Sequence, residues 1–255
     1  MVETVECKDG VRFKLMGRHD LIGKLLRRDG DYEPELKQLA RMFVRAKHGR
    51  ILDVGANIGT FTIPLAREHP HLRFVGFEAQ SRVYVRLLEN LSVNGISNVR
   101  AVHCGISDEP GIMTCSIPDY ENEGNVGAFS LDGEVREHEY EIQTDGGEEE
   151  FTLRTLDSYG YSDVILMKID VEGMEEKVLR GAYATLRDSY WPPILFEAWT
   201  FKEFYQPRRE SLLSYLASIG YEVTQVGQNN AAQHVSRADR LAISVQSDVV
   251  QRLEP

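Results

Sequence analysis

The sequence predicts an α/β fold built on a mostly parallel sheet, and three observations support that expectation. Apolar runs of strand length alternate with longer amphipathic stretches over much of the chain, which is the rhythm of βαβ units. The first such strand runs into a glycine turn, Asp53-Val54-Gly55-Ala56-Asn57-Ile58-Gly59, as strands of nucleotide-binding sheets do. A chain of 255 residues with 42% hydrophobic residues can also bury one sizeable core without disulfides or metal staples.

In chain order, residues 33–47 place Leu36, Leu39, Ala40, Phe43 and Val44 at helical spacing, with Pro34 in the first turn. This reads as a capping helix. Strands are expected at 50–54, 72–77 and 99–104, separated by helices at 59–68 and 81–93. Between 111 and 154 the alternation breaks into short β-like pieces (112–117, 140–144 and 151–153) around an acidic, glycine-rich stretch. An antiparallel insertion with a mobile centre is expected there. The rhythm resumes with a strand at 164–170, a helix across 172–187, a strand at 194–197, a helix at 208–219 and two last strands at 221–226 and 241–245. With no repeat and no linker, one domain is expected over 1–255. It comprises a β/helix cap (1–48), a cofactor-binding half (49–110), the acidic insertion (111–155) and a catalytic C-terminal half (156–255).

The formal net charge is −11, from 29 Lys+Arg and 40 Asp+Glu. Residues 119–150 hold twelve acids and one base, Arg136, which accounts for the whole excess. Phosphate binding needs clustered cations, so a nucleic-acid partner would have to rest on the basic N-terminal arm alone. No apolar run approaches the ~20 residues of a membrane span, and the opening MVETVECKDG is too acidic for a secretion signal. A cytoplasmic chain with no membrane partner is expected. The three cysteines, Cys7, Cys104 and Cys115, are never spaced C-x-x-C, which argues against a disulfide scaffold or a zinc ribbon.

The glycine turn after the first strand lets a ligand reach backbone N–H groups at the carboxyl edge of the sheet. Glu78 ends the second strand 19 residues after Gly59, about where an acid binds ribose hydroxyls. A pyrophosphate would want cations, yet the strand ends carry Asp53, Glu78, Asp108 and Asp170. Those acids suit S-adenosyl-L-methionine, with its sulfonium and ammonium. A second constellation, Lys168-x-Asp170-x-Glu172, lies on an apolar strand, where a lysine is costly unless paired. Asp170 and Glu197 are its expected partners. Asp170 is the expected catalytic group, with Lys168 and Glu197 in support. His69 and His71 flank Pro70 with no second cluster, so no metal is expected. His138 and His234 are alternative bases in loops, and Trp199 is expected at the acceptor pocket.

At this level the sequence resembles the FkbM family of class I methyltransferases. The matching pieces are Asp53–Gly59, Phe77-Glu78, Gly105-Ile106-Ser107-Asp108-Glu109-Pro110-Gly111, Thr155-Leu156-Asp157, Lys168-Ile169-Asp170-Val171-Glu172-Gly173 and Leu241-Ala242-Ile243, within a span from Tyr32-Glu33-Pro34 to Val245. The resemblance implies a Rossmann-like class I methyltransferase fold. Such a fold has a seven-stranded, mostly parallel sheet with one antiparallel edge strand, helices on both faces and a β-rich insertion before the fourth strand. It implies S-adenosylmethionine-dependent O-methylation of hydroxyls on sugars or secondary metabolites, so a small-molecule or glycan acceptor. It places Asp53, Gly55 and Gly59 around the methionine end, Glu78 on the ribose and Asp108 near the adenine. Glu33, Ala56, Asn57, Ala79, Ser107, Asp170 and Glu172 are further cofactor-binding candidates. Three other readings compete: an RNA 2′-O-ribose methyltransferase using the basic arm 23–28, a non-catalytic S-adenosylmethionine-binding protein, and a nicotinamide oxidoreductase, which the missing middle glycine disfavours. Residues 119–150 are expected to form a mobile lid. The sequence does not indicate an oligomeric state.

Overall fold

A computed structural model describes residues 3–17, 20–45, 47–120, 126–138, 144–246 and 249–253. The chain begins with an antiparallel pair, β1 (Thr4–Glu6) and β2 (Arg12–Lys14), then helices α1 (Leu21–Asp29) and α2 (Pro34–Val44). Asp20 caps α1 by accepting from the Gly23 amide at 3.0 Å, and Gly30 closes it in the left-handed region. Where the sequence suggests only a basic arm, the structure has a helix that buries Ile22 and Leu26. Its Arg27 and Arg28 pair with Glu3 and Asp29.

The alternating region runs β3 (Arg50–Val54), α3 (Thr62–Glu68), β4 (Arg73–Glu78), α4 (Ser81–Val93) and β5 (Val99–His103). The insertion contributes β6 (Gly105–Ile106), β7 (Gly111–Pro118), α5 (Gly133–His138) and β8 (Thr144–Arg154). Beyond it come β9 (Val164–Ile169), α6 (Glu175–Arg180), α7 (Tyr183–Asp188), β10 (Ile194–Glu197), α8 (Gln206–Ser218), β11 (Tyr221–Val226) and β12 (Asn229–His234). A last hairpin joins β13 (Ala242–Gln246) and β14 (Val249–Leu253).

The central sheet has seven strands in the order β11-β12-β10-β9-β3-β4-β5. The pairs from β10 to β5 are parallel, and β12 runs antiparallel to both its neighbours. This corrects two expectations. The antiparallel strand lies one place in from the edge, and the seventh strand of the sheet is Asn229–His234, whereas 241–245 pairs only in the separate hairpin. The run Asn-Asn-Ala-Ala-Gln-His has no strand-like composition. It is extended because two partners flank it, a tertiary override of local preference, and Gly227 at φ 61° makes the tight link from β11.

Side chains alternate across this sheet. Leu52, Val54, Met167, Ile169 and Phe196 face a core closed by Val178 and Leu179 of α6 and Leu212 and Leu216 of α8. Ile51, Phe74, Leu166 and Leu195 face the opposite core, closed by Leu36, Leu39, Ala40 and Phe43 of α2 and Leu65 of α3. Helices therefore cover both faces, and each side chain fully buried there contributes about 1.5–3 kcal/mol. The helix expected over 172–187 is broken at Gly181, where a Cβ would fall 2.0 Å from the Ser107 carbonyl oxygen.

The insertion's strands form a sheet in the order β6-β8-β7. The strand expected at 140–144 falls almost wholly outside the described residues. The mobile, unpacked centre expected for the acidic segment does not hold for residues 126–138, where Val126, Phe129, Leu131 and Val135 are buried. Two of the acids, Asp132 and Glu134, are paired from outside the segment. Asp132 pairs with Arg208 at 3.0 Å and with Lys177 at 3.3 Å, and Glu134 pairs with Arg208 at 2.5 Å. No helix among the described residues is long and apolar enough to cross a membrane. The three cysteines are buried and unbridged.

Candidate active site

The carboxyl ends of β3, β4, β9 and β10 converge on a cavity of about 840 Å³. Register brings the charged groups together. Lys168 of β9 lies opposite Asp53 of β3, and Leu195 of β10 opposite Lys168, so Asp53, Lys168 and Glu197 project from one face. Lys168 Nζ lies 3.4 Å from Asp53 Oδ1 and 3.1 Å from Asp170 Oδ2, and it donates to the Gly55 carbonyl at 3.2 Å. Burial by itself would lower the Lys168 pKa, but Asp170 and Asp53 hold its ammonium charged and push it above its ordinary value. Asp53 is fully buried, which raises its pKa, and it accepts from Thr62 Oγ1 at 2.6 Å. The register corrects the expected Lys168–Glu197 pair. Asp53 is the cross-strand neighbour, whereas Glu197 hydrogen-bonds with Asp170.

Burial, and after it the charge of Asp170, push Glu197 up to about 9. Asp170, Glu172 and Glu197 bring carboxylate oxygens within 4.8 Å of one another. Glu33, at the start of α2, lines the same cavity and is pushed to about 7 by burial first and Asp170 second. Glu33, Asn57 and Glu172 line the cavity and hold positive φ angles of 48°, 50° and 52°. Such backbone costs about 1–3 kcal/mol per residue and clusters at functional sites.

The second corner is built on Glu78. Its Oε2 accepts from the Asn57 amide at 2.9 Å and its Oε1 from the Gln80 amide at 2.9 Å. Burial pushes it to about 7. A carboxylate has about four acceptor positions, so two remain for a ligand with neighbouring hydroxyls. Gly55 and Ala79 line the cavity beside it. Gly55 is glycine for a steric reason: at φ 81° a Cβ would lie 1.8 Å from the Asp170 carbonyl oxygen.

Five cofactor candidates do not line this cavity, and Asp53 among them is buried against Lys168 and Thr62. Ala56 is buried under Gly76, and a Cβ on Gly59 would meet Ile63 and Leu87, so both serve packing of the turn. Ser107 and Asp108 point away. The Ser107 amide is bound by the Arg154 carbonyl of β8, and Asp108 borders a separate depression beside Lys177 and Arg180. Their place on the wall is taken by Gly105 and Ile106.

Opposite the acids stands an aromatic wall. Trp199, Phe201 and Phe204 follow β10, and the insertion adds Phe129, Leu131 and His138. His138 stacks on Phe204 at 4.7 Å, with its Nδ1 at 2.9 Å from the Glu134 carbonyl oxygen. His234 instead packs on Trp191 and contacts the Ile219 carbonyl oxygen, away from the cavity. Sequence reasoning missed Leu21 and Ile22 of α1, Gln80 and Tyr120. Gln80 bonds to the Val126 carbonyl and receives the Tyr120 hydroxyl, tying the β4 loop to the insertion. The Asp20 and Gly30 caps were the signal for α1; the Gln80–Tyr120 contact, 40 residues apart, has no local signal.

A model of the methyltransferase FkbM domain matches residues 53–223, more than half of the chain. The chain belongs to the FkbM methyltransferase family. Similar proteins include Methyltransferase 1 of Beauveria bassiana (strain ARSEF 2860), 29% identical over 55% of this chain and 59% of its own length. Methyltransferase sdnD of Sordaria araneosa is 26% identical over 69% of this chain and 74% of its own. The 31-O-demethyl-FK506 methyltransferase FkbM of Streptomyces tacrolimicus is 29% identical over 56% and 62% respectively. The chain thus matches about three fifths of the length of two of these relatives. Among solved structures, the precorrin-6y C5,15-methyltransferase of Geobacter metallireducens GS-15 has a TM-score of 0.46 at 13% identity, covering 88% of this chain and 85% of that one.

The family match and the seven-stranded, mostly parallel sheet with helices on both faces agree with the fold expected of an S-adenosylmethionine-binding chain. The donor set suits that cofactor, with a buried carboxylate that has acceptor positions to spare for vicinal hydroxyls and a surplus of acids for a sulfonium and an ammonium.

Proposed function

We propose that the chain methylates a hydroxyl group of a small molecule, a sugar or a secondary metabolite, with Asp170 receiving the hydroxyl proton. One observation carries this reading. Asp170 stands between the charged Lys168 and a Glu197 that burial keeps protonated at neutral pH, and it lines the same cavity as the aromatic wall. Neighbouring carboxyl groups pushed to different protonation states are the arrangement from which acid and base roles arise. A neutral Glu197 can donate a hydrogen bond to Asp170, which also pairs with the Lys168 ammonium at 3.1 Å.

When bound, S-adenosylmethionine supplies a methyl group already activated on its sulfonium. The chain then has to hold the acceptor oxygen in line at roughly 3–3.5 Å, keep water out and take up one proton. Glu78 holds the ribose hydroxyls, and the loops after β3 and β9 shape the methionine end. Trp199, Phe204 and Phe129 hold the apolar body of the acceptor, and Asp170 Oδ takes its proton. The name of the Streptomyces tacrolimicus relative, a 31-O-demethyl-FK506 methyltransferase, supports oxygen as the methylated atom. Incubation with S-adenosylmethionine and a panel of sugars, hydroxylated metabolites, matched amines and RNA, followed by mass spectrometry, tests the reading. Gain of one methyl on a hydroxyl is expected; methylation confined to amines or to RNA overturns it.

A further inference from the structure

Glu175 is the first residue of α6, and its carboxylate is buried with 2% of the residue exposed. It does not line the large cavity, yet both its oxygens are used. Oε1 accepts from the Gly173 amide at 3.0 Å, and Oε2 accepts from the Tyr205 hydroxyl at 2.8 Å. The first bond grips the turn that carries Asp170 and Glu172, whose backbone is strained at Glu172 (φ 52°). The second reaches the segment after β10, where Tyr205 packs on Trp199 at 4.8 Å between ring centres. The same turn touches the insertion, since a Cβ on Gly173 would lie 2.7 Å from Val135. One buried carboxylate therefore joins the acidic loop to the aromatic wall.

We propose that the Glu175–Tyr205 pair is a positioning device that fixes the Asp170–Glu172 loop against the wall receiving the acceptor. This rests on the reading of Asp170 as the group that meets the acceptor. Holding the turn before α6 locally needs only the Gly173 bond, and the hydroxyl of Tyr205 has no part in it. A turn with strained backbone relaxes when an anchoring bond is lost, and a shift of about 1 Å at a reacting group can cost roughly 10²-fold in rate.

Hydrogen–deuterium exchange of the full chain saturated with S-adenosylhomocysteine tests this without knowledge of the acceptor. Wild type, Glu175→Ala, Glu175→Gln and Tyr205→Phe are compared, and calorimetry with S-adenosylhomocysteine shows that each variant is folded and loaded. Tyr205→Phe removes one hydroxyl outside the loop. It should speed exchange across 170–175 as Glu175→Ala does, whereas Glu175→Gln, which still accepts from Gly173 and donates to the Tyr205 oxygen, should stay near wild type. With an acceptor in hand, kcat should fall about 10²-fold in Glu175→Ala and Tyr205→Phe while KM for S-adenosylmethionine holds. Wild-type exchange at 170–175 in Tyr205→Phe, or an unchanged kcat there, overturns the proposal and leaves Glu175 as a local tie within the turn. Failure of the wild-type protein to bind S-adenosylhomocysteine would instead overturn the cofactor site and the positioning role with it.

Discussion

Glu78 is a carboxylate whose charge is set by what it binds. In the bare protein, burial raises it to about 7. Because the folded value lies above the unfolded one, its contribution to stability is full below the ordinary carboxylate range and is lost as pH rises through about 7. Two ribose hydroxyls donating to it favour the charged form, so S-adenosylhomocysteine should bind more tightly as pH rises from 5.5 to 8. The slope should approach about tenfold per unit below 7. Calorimetry across that range checks the sign, and affinity that weakens with pH would contradict it. Glu78→Ala should cost about 1.5–3 kcal/mol, or roughly 10–150-fold in affinity, and should flatten the pH dependence. That Glu78 and Asp170 sit at the cavity was legible because strand-end acids at fixed spacing are a one-dimensional signal. Ser107 and Asp108 were misplaced because their direction depends on β8, which holds the Ser107 amide from 47 residues away. The Lys168 partner was misassigned for a related reason: strand register is not written within the strand.

At the level of elements, the acidic insertion supplies Phe129, Leu131 and His138 to the cavity wall. Asp132 caps α5 by accepting from the Val135 amide at 3.3 Å, and it anchors that helix to Arg208 of α8 and Lys177 of α6. The paired cations hold Asp132 below its ordinary pKa despite its burial. A depressed value means stability that is present above the unfolded pKa, about 3.9, and is lost as pH falls through the folded one. Arg208→Ala leaves Asp132 short of its main partner, at a cost of about 1–3 kcal/mol. We expect Tm to fall by roughly 2–10 °C and proteolysis within 126–138 to speed up, with S-adenosylhomocysteine affinity little changed. If proteolysis does not change, the anchoring role is wrong. The insertion's position was legible from the break in alternation at 111; its packing was not, because the cations that pair Asp132 and Glu134 lie on α6 and α8. The strand β12 was invisible for the same kind of reason, as its polar run is extended only between β10 and β11.

Across the whole molecule, a parallel sheet opens its carboxyl edge to one side, and every group assigned a role in transfer sits there. The order of strands places Glu78 and the glycine turn at the ends of β3 and β4 and Asp170 after β9, next to β10, whose following segment carries the aromatic wall. The cofactor half follows from a motif that is local in sequence. The acceptor half is assembled from α1, the insertion and the segment after β10, which meet only in the folded chain. The central claim is that Asp170 withdraws the acceptor's proton, and turnover by Asp170→Asn on the acceptor identified by mass spectrometry tests it most directly. The substitution keeps the shape and removes the base. The expected result is a kcat lower by about 10²–10⁴-fold with S-adenosylhomocysteine affinity preserved; full turnover by Asp170→Asn would contradict the account.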